Sequence, residues 1–378
     1  MTALAPTLFG AAQQVSAEPF GAIDAINANF DNKGVAKGDS LVVPVAPVQE
    51  ADDFTPSNAT PEGVAQTASS VTVEITESRK TKPMALTGEQ IRSLENGGNY
   101  QEWVRQWAAQ AMRTLRNEAE ADAVTAIYQS ASRATGTAGT TPFAADMKSL
   151  TSVRRILRDN GAPMVDAQFV CDTDAEMNLL NLGLVNQANA SGSDVERRGG
   201  FVGKQYGFQI RPSAGIVEHT SSSAASYVLD VTTSIATGTT ALVVKTGTDA
   251  INVGDVFSIG GGDGDKYVVV SRSPAAGTVT AIGISRPGTR SVYLDDAALT
   301  FTASYTPNLA FERNAVVGVM RPPMIPTNST IRQIPISDGM GMTYMMLEID
   351  QYGQRTWEMH LAWGFKVVQP EHVAILQG

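Results

Sequence analysis

The sequence holds one cysteine in 378 residues, so no disulfide can form within the chain. Cys171 ends the run Gln168-Phe169-Val170-Cys171, where a small buried hydrophobe fits better than a reactive thiol. Histidine is almost as scarce, with His219, His360 and His372 the three present. None is spaced from another as metal ligands are, and none is near Cys171 in sequence. No His-Glu-x-x-His, Gly-x-Ser-x-Gly or Cys-x-x-Cys occurs, so zinc-protease, serine-hydrolase and thiol-redox chemistry lack their usual signatures. The chain reads as non-enzymatic, with catalytic residues none, cofactor-binding residues none, metal ligands none and no cofactor. No apolar run reaches the ~18 residues a membrane helix needs. The start, Met1-Thr2-Ala3-Leu4-Ala5-Pro6, lacks the basic stretch and apolar core of a secretory signal. The sequons at Asn58, Asn189 and Asn328 therefore carry no expectation of glycosylation.

Charge is also sparse. Charged residues make up 17% of the chain, against about 25% in ordinary globular proteins. Low charge with abundant small residues suggests a surface largely covered by other chains. The balance is acidic, with 28 Lys and Arg against 38 Asp and Glu and a net charge of −10. No basic patch stands out, so contact with nucleic acid is expected to be loose and sequence-independent.

What is present is a succession of distinct patterns. Residues 1 to 38 read as an arm that orders only against a neighbour. Leu41 to Val48 and Val71 to Thr76 read as two strands, the second alternating Val71, Val73 and Ile75 with Thr72, Glu74 and Thr76. Pro56, Asn58, Pro61 and Gly63 lie between them, which makes a long hairpin with an elaborate tip. A lone hairpin is marginal in water and needs a neighbouring surface. Tyr100 to Ser130 gives the strongest helical signal, with Trp103, Trp107, Ala111, Leu115, Ala119, Ala123 and Ile127 at every fourth position. Asn99 is the expected cap, with Glu102 as its capping-box partner. Arg105, Arg113, Arg116, Glu118, Glu120 and Asp122 are assigned to the outer face, and the tryptophans to core packing. At 1.5 Å per residue the helix spans about 45 Å.

Gly136 to Thr141 reads as a linker. A helix is expected over residues 144–159, ended by Asn160-Gly161. Val165 to Cys171 follows as a buried strand, then a helix over Thr173–Asn181 capped by Asp172, then a glycine-bent strand over Gly203–Ile210. From His219 to Thr306, Ser, Thr, Gly and Val dominate. Short runs at Tyr227–Val231, Ala241–Lys245, Val256–Ile259, Lys266–Ser271, Thr278–Ser285 and Ala298–Ala303 suggest a small all-β barrel or sandwich inserted into another domain. Leu309 to Met320 fits helix or strand. Strands return at Met342–Asp350, Arg355–Phe365 and Val373–Leu376.

The glycine run Gly260-Gly261-Gly262-Asp263-Gly264-Asp265-Lys266 lacks the Gly-Lys-Ser/Thr and following helix of a phosphate loop. A turn between strands is its plain reading. Oxygens of Asp263 and Asp265 offered to Ca²⁺ are the alternative.

In order and in local sequence these elements resemble the major capsid (coat) protein of tailed bacteriophages, a fold shared with herpesvirus capsid floors and encapsulins. Gly203-Lys204-Gln205-Tyr206-Gly207-Phe208-Gln209-Ile210 is similar to a Gly-x-x-x-Gly-Phe-x-Ile turn of such coats. Asn308-Leu309-Ala310-Phe311-Glu312-Arg313-Asn314-Ala315 is similar to a Leu-Ala-Phe-His-Arg-Asp-Ala segment, with Glu312 departing where His is usual. Gly254-Asp255-Val256-Phe257-Ser258-Ile259 resembles the insertion domain of short-tailed Salmonella-phage coats. The resemblance implies an α+β fold with an N-terminal arm (1–39) and an extended loop (40–82). It implies a peripheral domain (83–140 and 327–378) around a spine helix (100–130), an axial domain (141–218 and 307–326) and an inserted β-barrel-like domain (219–306). It implies self-assembly as hexamers and pentamers into an icosahedral virion capsid around double-stranded DNA, built in the bacterial host cytoplasm. Implied partners are other copies of the chain, scaffolding and portal proteins, a decoration protein, and packaged DNA contacted non-specifically, with no membrane. Some shells of this fold crosslink through a lysine of the extended loop. Residues 49–70 hold no lysine, and Lys80 and Lys82 sit at the loop's base, so the shell is expected to be non-covalent. Hinges are expected at Gly136–Thr141 and Arg321–Pro326, and the spine helix is expected to bend as the shell expands. The alternatives are an encapsulin-type cage and, from another class, a phage tail or surface adhesin. The inserted β run argues against the first and the uninterrupted helix against the second.

Overall fold

The computed structural model describes residues 4–16, 21–30, 33–45, 69–182, 203–262, 264–275, 277–326, 331–338 and 341–378. Helix α1 (Leu4–Ser16), the single turn α2 (Ala22–Ala25) and strand β1 (Asn27–Phe30) open the chain. β2 (Ser40–Val45) and β3 (Ser69–Glu74) follow, then β4 (Glu77–Lys80), β5 (Met84–Thr87), α3 (Gly88–Asn96) and the long α4 (Tyr100–Tyr128). Next come β6 (Arg133–Gly136), α5 (Lys148–Asp159), β7 (Ala167–Cys171), α6 (Thr173–Asn181), β8 (Lys204–Gln205) and β9 (Phe208–Pro212). A run of short strands occupies β10 (Val228–Leu229), β11 (Ser234–Ile235), β12 (Ala241–Lys245), β13 (Val256–Ile259), β14 (Lys266–Ser273), β15 (Ala281–Ile284), β16 (Tyr293–Leu294) and β17 (Leu299–Phe301). β18 (Pro307–Glu312), β19 (Val316–Arg321), β20 (Ile331–Ser337), β21 (Thr343–Gln351), β22 (Gln354–Val367) and β23 (Val373–Gln377) complete the order. The class is α+β, as expected.

One sheet runs β1-β19-β22-β21-β20, with β4 and β5 also paired to β22. α4 lies across it. Trp103 and Trp107 straddle Trp357 of β22, with ring centroids 6.2 and 6.4 Å away, so the tryptophans are core residues as expected. The second sheet holds β6-β23-β18-β7-β9-β8 and continues through β14 into the short-strand run. α5 and α6 cover one of its faces through Leu150, Val153, Leu157, Ala175 and Leu179, all fully or nearly fully buried with Phe169, Ala310 and Leu376. Leu309, Phe311, Val373 and Ile375 point the other way, into the core around α4. Alternation along β18 and β23 thus serves two cores at once, which is why both read as continuous apolar runs.

The short strands close on themselves. β10-β12-β15-β14 pair in sequence, β14 pairs β13, β13 pairs β17, and a bridge between Val228 and Ala298 completes the ring. Tyr227, Leu242, Phe257, Tyr267, Val269 and Ile282 fill its interior. This barrel has its own core, yet it is not detached. Lys266 and Tyr267 of β14 pair with Ala134 and Arg133 of β6.

Several sequence expectations are corrected. The arm does not wait for a neighbour over residues 4–16: α1 packs on α4 with Leu8, Ala11, Ala12 and Val15 buried. Asn99 does not cap α4. Its backbone is already helical, its side chain makes no capping bond, and Glu102 instead receives Arg105 at 2.8 Å. The capping box forms one helix earlier, between Thr87 and Gln90 at the start of α3, an element the sequence reading did not include. Arg116 and Glu120 are not on an outer face: they are 0% and 2% exposed. Leu309 to Met320 is two strands separated by a 3₁₀ turn at Arg313–Ala315, where the Asn314 amide donates to Glu312 at 3.0 Å. Gly136 is no free linker residue. It ends β6, opposite Gln377, and its carbonyl accepts from Lys266 Nζ at 2.7 Å.

Candidate assembly surface

β2 and β3 form a two-stranded sheet that, among the described residues, hydrogen-bonds to no third strand. The register sets Leu41 against Val73 and Val43 against Val71, which gathers the large apolar residues on one face. That face is finished only at its root. Val73 and Ile75 are buried with Val317, Val319 and Ala362, whereas Leu41, Val43, Val45 and Val71 are only half-covered. Val42, on the other face, is 59% exposed. The expected strands are therefore present, and the expected tip, residues 46–68 with Pro56, Asn58, Pro61 and Gly63, lies outside the described residues.

The root is held firmly. Gly38 donates to the Ile75 carbonyl at 3.0 Å and Ile75 donates to the Asp39 carbonyl at 2.9 Å. The hairpin backbone crosses β22 so closely that a Cβ on Gly364 would stand 2.0 Å from the Glu74 carbonyl oxygen. Only glycine fits there. Beside the root, Glu358 accepts from Lys80 at 3.0 Å and pairs with His360 at 3.1 Å. Burial pushes the His360 pKa down, with Glu358 pulling part of the way back and Lys80 adding to the depression. Glu77 gathers Lys37 at 3.6 Å and Arg79 at 3.1 Å.

Behind the hairpin, the arm is tied to the spine helix by charge. Glu120 accepts from the amides of Ala22 at 2.5 Å and Ile23 at 2.9 Å, and from the Ser213 hydroxyl at 2.7 Å. Arg116 donates to the Val15 carbonyl and to Asp24, both at 3.2 Å. A similar joint links the far end of α4 to the barrel. His219 stacks between Tyr128 and Tyr305, and its Nε2 lies 2.9 Å from Asp255 Oδ1. Asp255 also accepts from Asn252, and its carboxyl is held below the usual range by the His219 and Ser222 contacts despite burial.

The glycine run is the turn between β13 and β14, as its plain reading had it. Asp263 lies outside the described residues. Asp265 faces Arg133 at 3.4 Å and Arg290 at 3.7 Å, so cationic side chains already neutralise it. Among the described residues no three of His, Cys, Asp and Glu converge as metal ligands do. No described helix is long and apolar enough to cross a membrane. Cys171 is buried, and desolvation pushes its thiol up to about 12. Asn189 and Asn328 fall outside the described residues, as does Asn58. The second expected hinge, residues 321–326, is tied to the arm segment: Met324 donates to the Val35 carbonyl at 2.8 Å and Arg321 to Asn29 at 2.9 Å.

No protein-family model matches the sequence, and no curated protein does. Solved structures do resemble this fold. The capsid structure of the cyanophage P-SCSP1u is 11% identical, covering 95% of this chain and 88% of its own, with a TM-score of 0.48. A structure from Mycobacterium phage Che8 is 13% identical, covering 90% and 85%, at 0.45. A virus-like particle from Pyrococcus furiosus is 9% identical, covering 98% of both chains, at 0.45.

Proposed function

We propose that this chain is the major capsid protein of a tailed bacteriophage, a structural subunit that assembles with copies of itself into a shell around double-stranded DNA. The observation that carries the reading is the hairpin of β2 and β3, whose apolar face is half-covered and whose root is fixed by tight contacts. An isolated two-stranded hairpin is marginal, and one held rigidly at its base and unfinished along its length suits a surface supplied by the next subunit. The order of elements supports the same reading: arm, hairpin, long helix laid over a sheet, α/β layer, barrel, and a late return to the first sheet.

In this reading the arm is residues 1–39, the extended loop 40–82, the peripheral domain 83–140 with 327–378, the axial domain 141–218 with 307–326, and the insertion 219–306. One sequence forms hexamers and pentamers through heterologous contacts around each ring. Scaffolding, portal and decoration proteins complete the particle, which is built in the host cytoplasm. The insertion favours the short-tailed Salmonella-phage type. Residues 49–70 hold no lysine, and Lys80 at the loop's base pairs with Glu358, so in this reading the shell is held non-covalently. Interfaces of such obligate assemblies bury more than about 2,000 Å².

The test is to express the full chain, alone and with a co-expressed scaffolding protein, and image the soluble fraction by negative-stain electron microscopy. Closed shells or tubes with a hexameric lattice are expected. Fibrous trimers, or monomers under both conditions, overturn the proposal.

A further inference from the structure

α5 separates charge as cleanly as it separates hydropathy. Leu150, Val153, Ile156 and Leu157 are buried against the sheet. Lys148, Arg155 and Arg158 stand exposed on the other side, without an ion-pair partner among the described residues. The nearest acids are already occupied: Asp159 pairs with Arg290 at 3.1 Å, and Asp146 accepts the Lys148 amide at 2.9 Å. Arg154 donates to the Tyr206 carbonyl and lies over Gly207, where a Cβ would meet its guanidinium at 3.3 Å. That contact joins the β8–β9 turn to the helix and brings Lys204 and Tyr206 to the same surface. Tyr206 is 41% exposed and holds a positive φ of 49°, so its ring is presented at the cost of backbone strain. In a chain of net charge −10, Lys148, Arg155 and Arg158 thus share the exposed side of α5, and Arg154 ties that helix to the turn that carries the exposed Lys204 and Tyr206.

We infer that the outer face of α5, with the β8–β9 turn, binds a nucleic-acid backbone. The planar guanidiniums of Arg155 and Arg158, one helical turn apart, take phosphate oxygens bidentately. Lys148, about 10 Å further along the helix, extends the track. The track's occupant in the proposed shell is the duplex backbone, and Tyr206 adds a ring contact only where a base is unpaired, so its effect is confined to single strands. The inference rests on the coat-protein reading, which brings nucleic acid to the shell, and it assigns that contact to particular residues.

The test uses the full chain, a labelled 30-base single-stranded DNA and the same strand as a duplex, with fluorescence anisotropy across a salt series. In Lys148→Gln/Arg155→Gln/Arg158→Gln, affinity at low salt falls by at least ~10-fold, and the slope of log K against log salt becomes shallower by about 2 for the single strand and about 2.7 for the duplex. A charge-matched control, Lys82→Gln/Arg92→Gln/Lys366→Gln, changes affinity by less than ~3-fold. Tyr206→Ala weakens the single strand more than the duplex. Equal losses in the two triple variants, or no loss in the first, overturn the proposal. A patch-dependent affinity for poly-glutamate as high as that for DNA overturns the nucleic-acid assignment in favour of an acidic protein segment. Shell formation is scored on the same preparations. Shells with unchanged DNA binding in the patch variant reject the patch and keep the coat reading. Patch-dependent binding by a chain that forms no shell does the reverse.

Discussion

The spine helix and the hairpin are stabilised in opposite ways. α4 is enclosed on every side that matters: α1 covers one flank, β22 lies beneath it, and even its inward charges have partners. The hairpin shares a root with the same sheet and then leaves it, carrying an apolar face that the subunit covers only in part. The first region is complete within one chain. The second is left partly uncovered by the chain itself, so under the proposed function substitutions in the two should separate subunit stability from assembly.

The largest effect is expected at Glu120. Glu120→Ala strands two amides and a hydroxyl in the interior and leaves Arg116 with less opposing charge, a loss of about 3 kcal/mol or more of subunit stability. Urea denaturation followed by tryptophan fluorescence measures it, and a loss under ~1 kcal/mol shows that the network is dispensable. Next is a contrast within the hairpin. Val73→Ala, at the buried root, costs about 2 kcal/mol in the subunit, whereas Val43→Ala, on the half-covered face, costs less than about 1. Shell yield reverses the ranking relative to stability: Val43→Asp leaves the subunit folded and abolishes shells. Equal stability losses at the two positions dissolve the distinction between root and face.

A smaller effect is tied to pH. The folded-state pKa of His360 lies below its ordinary value because burial disfavours the charged ring, with Glu358 opposing and Lys80 reinforcing that shift. The unfolded chain therefore binds the proton first. The stability contributed by the neutral ring is present above pH ~6.5 and is lost as pH falls through the depressed value. His360→Gln should flatten the difference in urea midpoint between pH 7.5 and pH 5, and an unchanged difference assigns the dependence to other groups. The least perturbing measurement concerns Cys171. Its buried thiol should resist an aromatic disulfide reagent in the native chain and react on unfolding, and native-state reaction within minutes shows that the sheet beneath α6 opens.

Where one face alone decides, the sequence was legible. α4, α6 with its Asp172 cap, and β12 and β13 were bounded to within a residue or two by periodicity and turn residues. What escaped was decided by partners distant in sequence. β4 is polar and β5 only four residues long, and each forms because β22 offers it an edge. Arg116 and Glu120 read as solvent residues on a helical wheel, and segments distant in sequence, residues 4–16 and 21–25 of the arm and Ser213, make them interior. The basic strip on α5 was hidden by averaging: a net charge of −10 says nothing about Lys148, Arg155 and Arg158 lying together on one face. The hairpin's alternation was plain, but its half-covered state is a property of the folded root.

β22 has a consequence in time as well as in space. It is the strand to which β4, β5, β19 and β21 all pair, and it follows the hairpin root and α4 by more than two hundred residues. A nascent chain therefore carries α4 and the hairpin root without β22, the strand that both pack against, until residues 354–367 have left the ribosome. The closing step of folding and the fixing of the hairpin root are one event, so unfinished chains hold their sticky strands in no defined orientation. If the chain assembles as proposed, the late synthesis of β22 delays association until the subunit is whole.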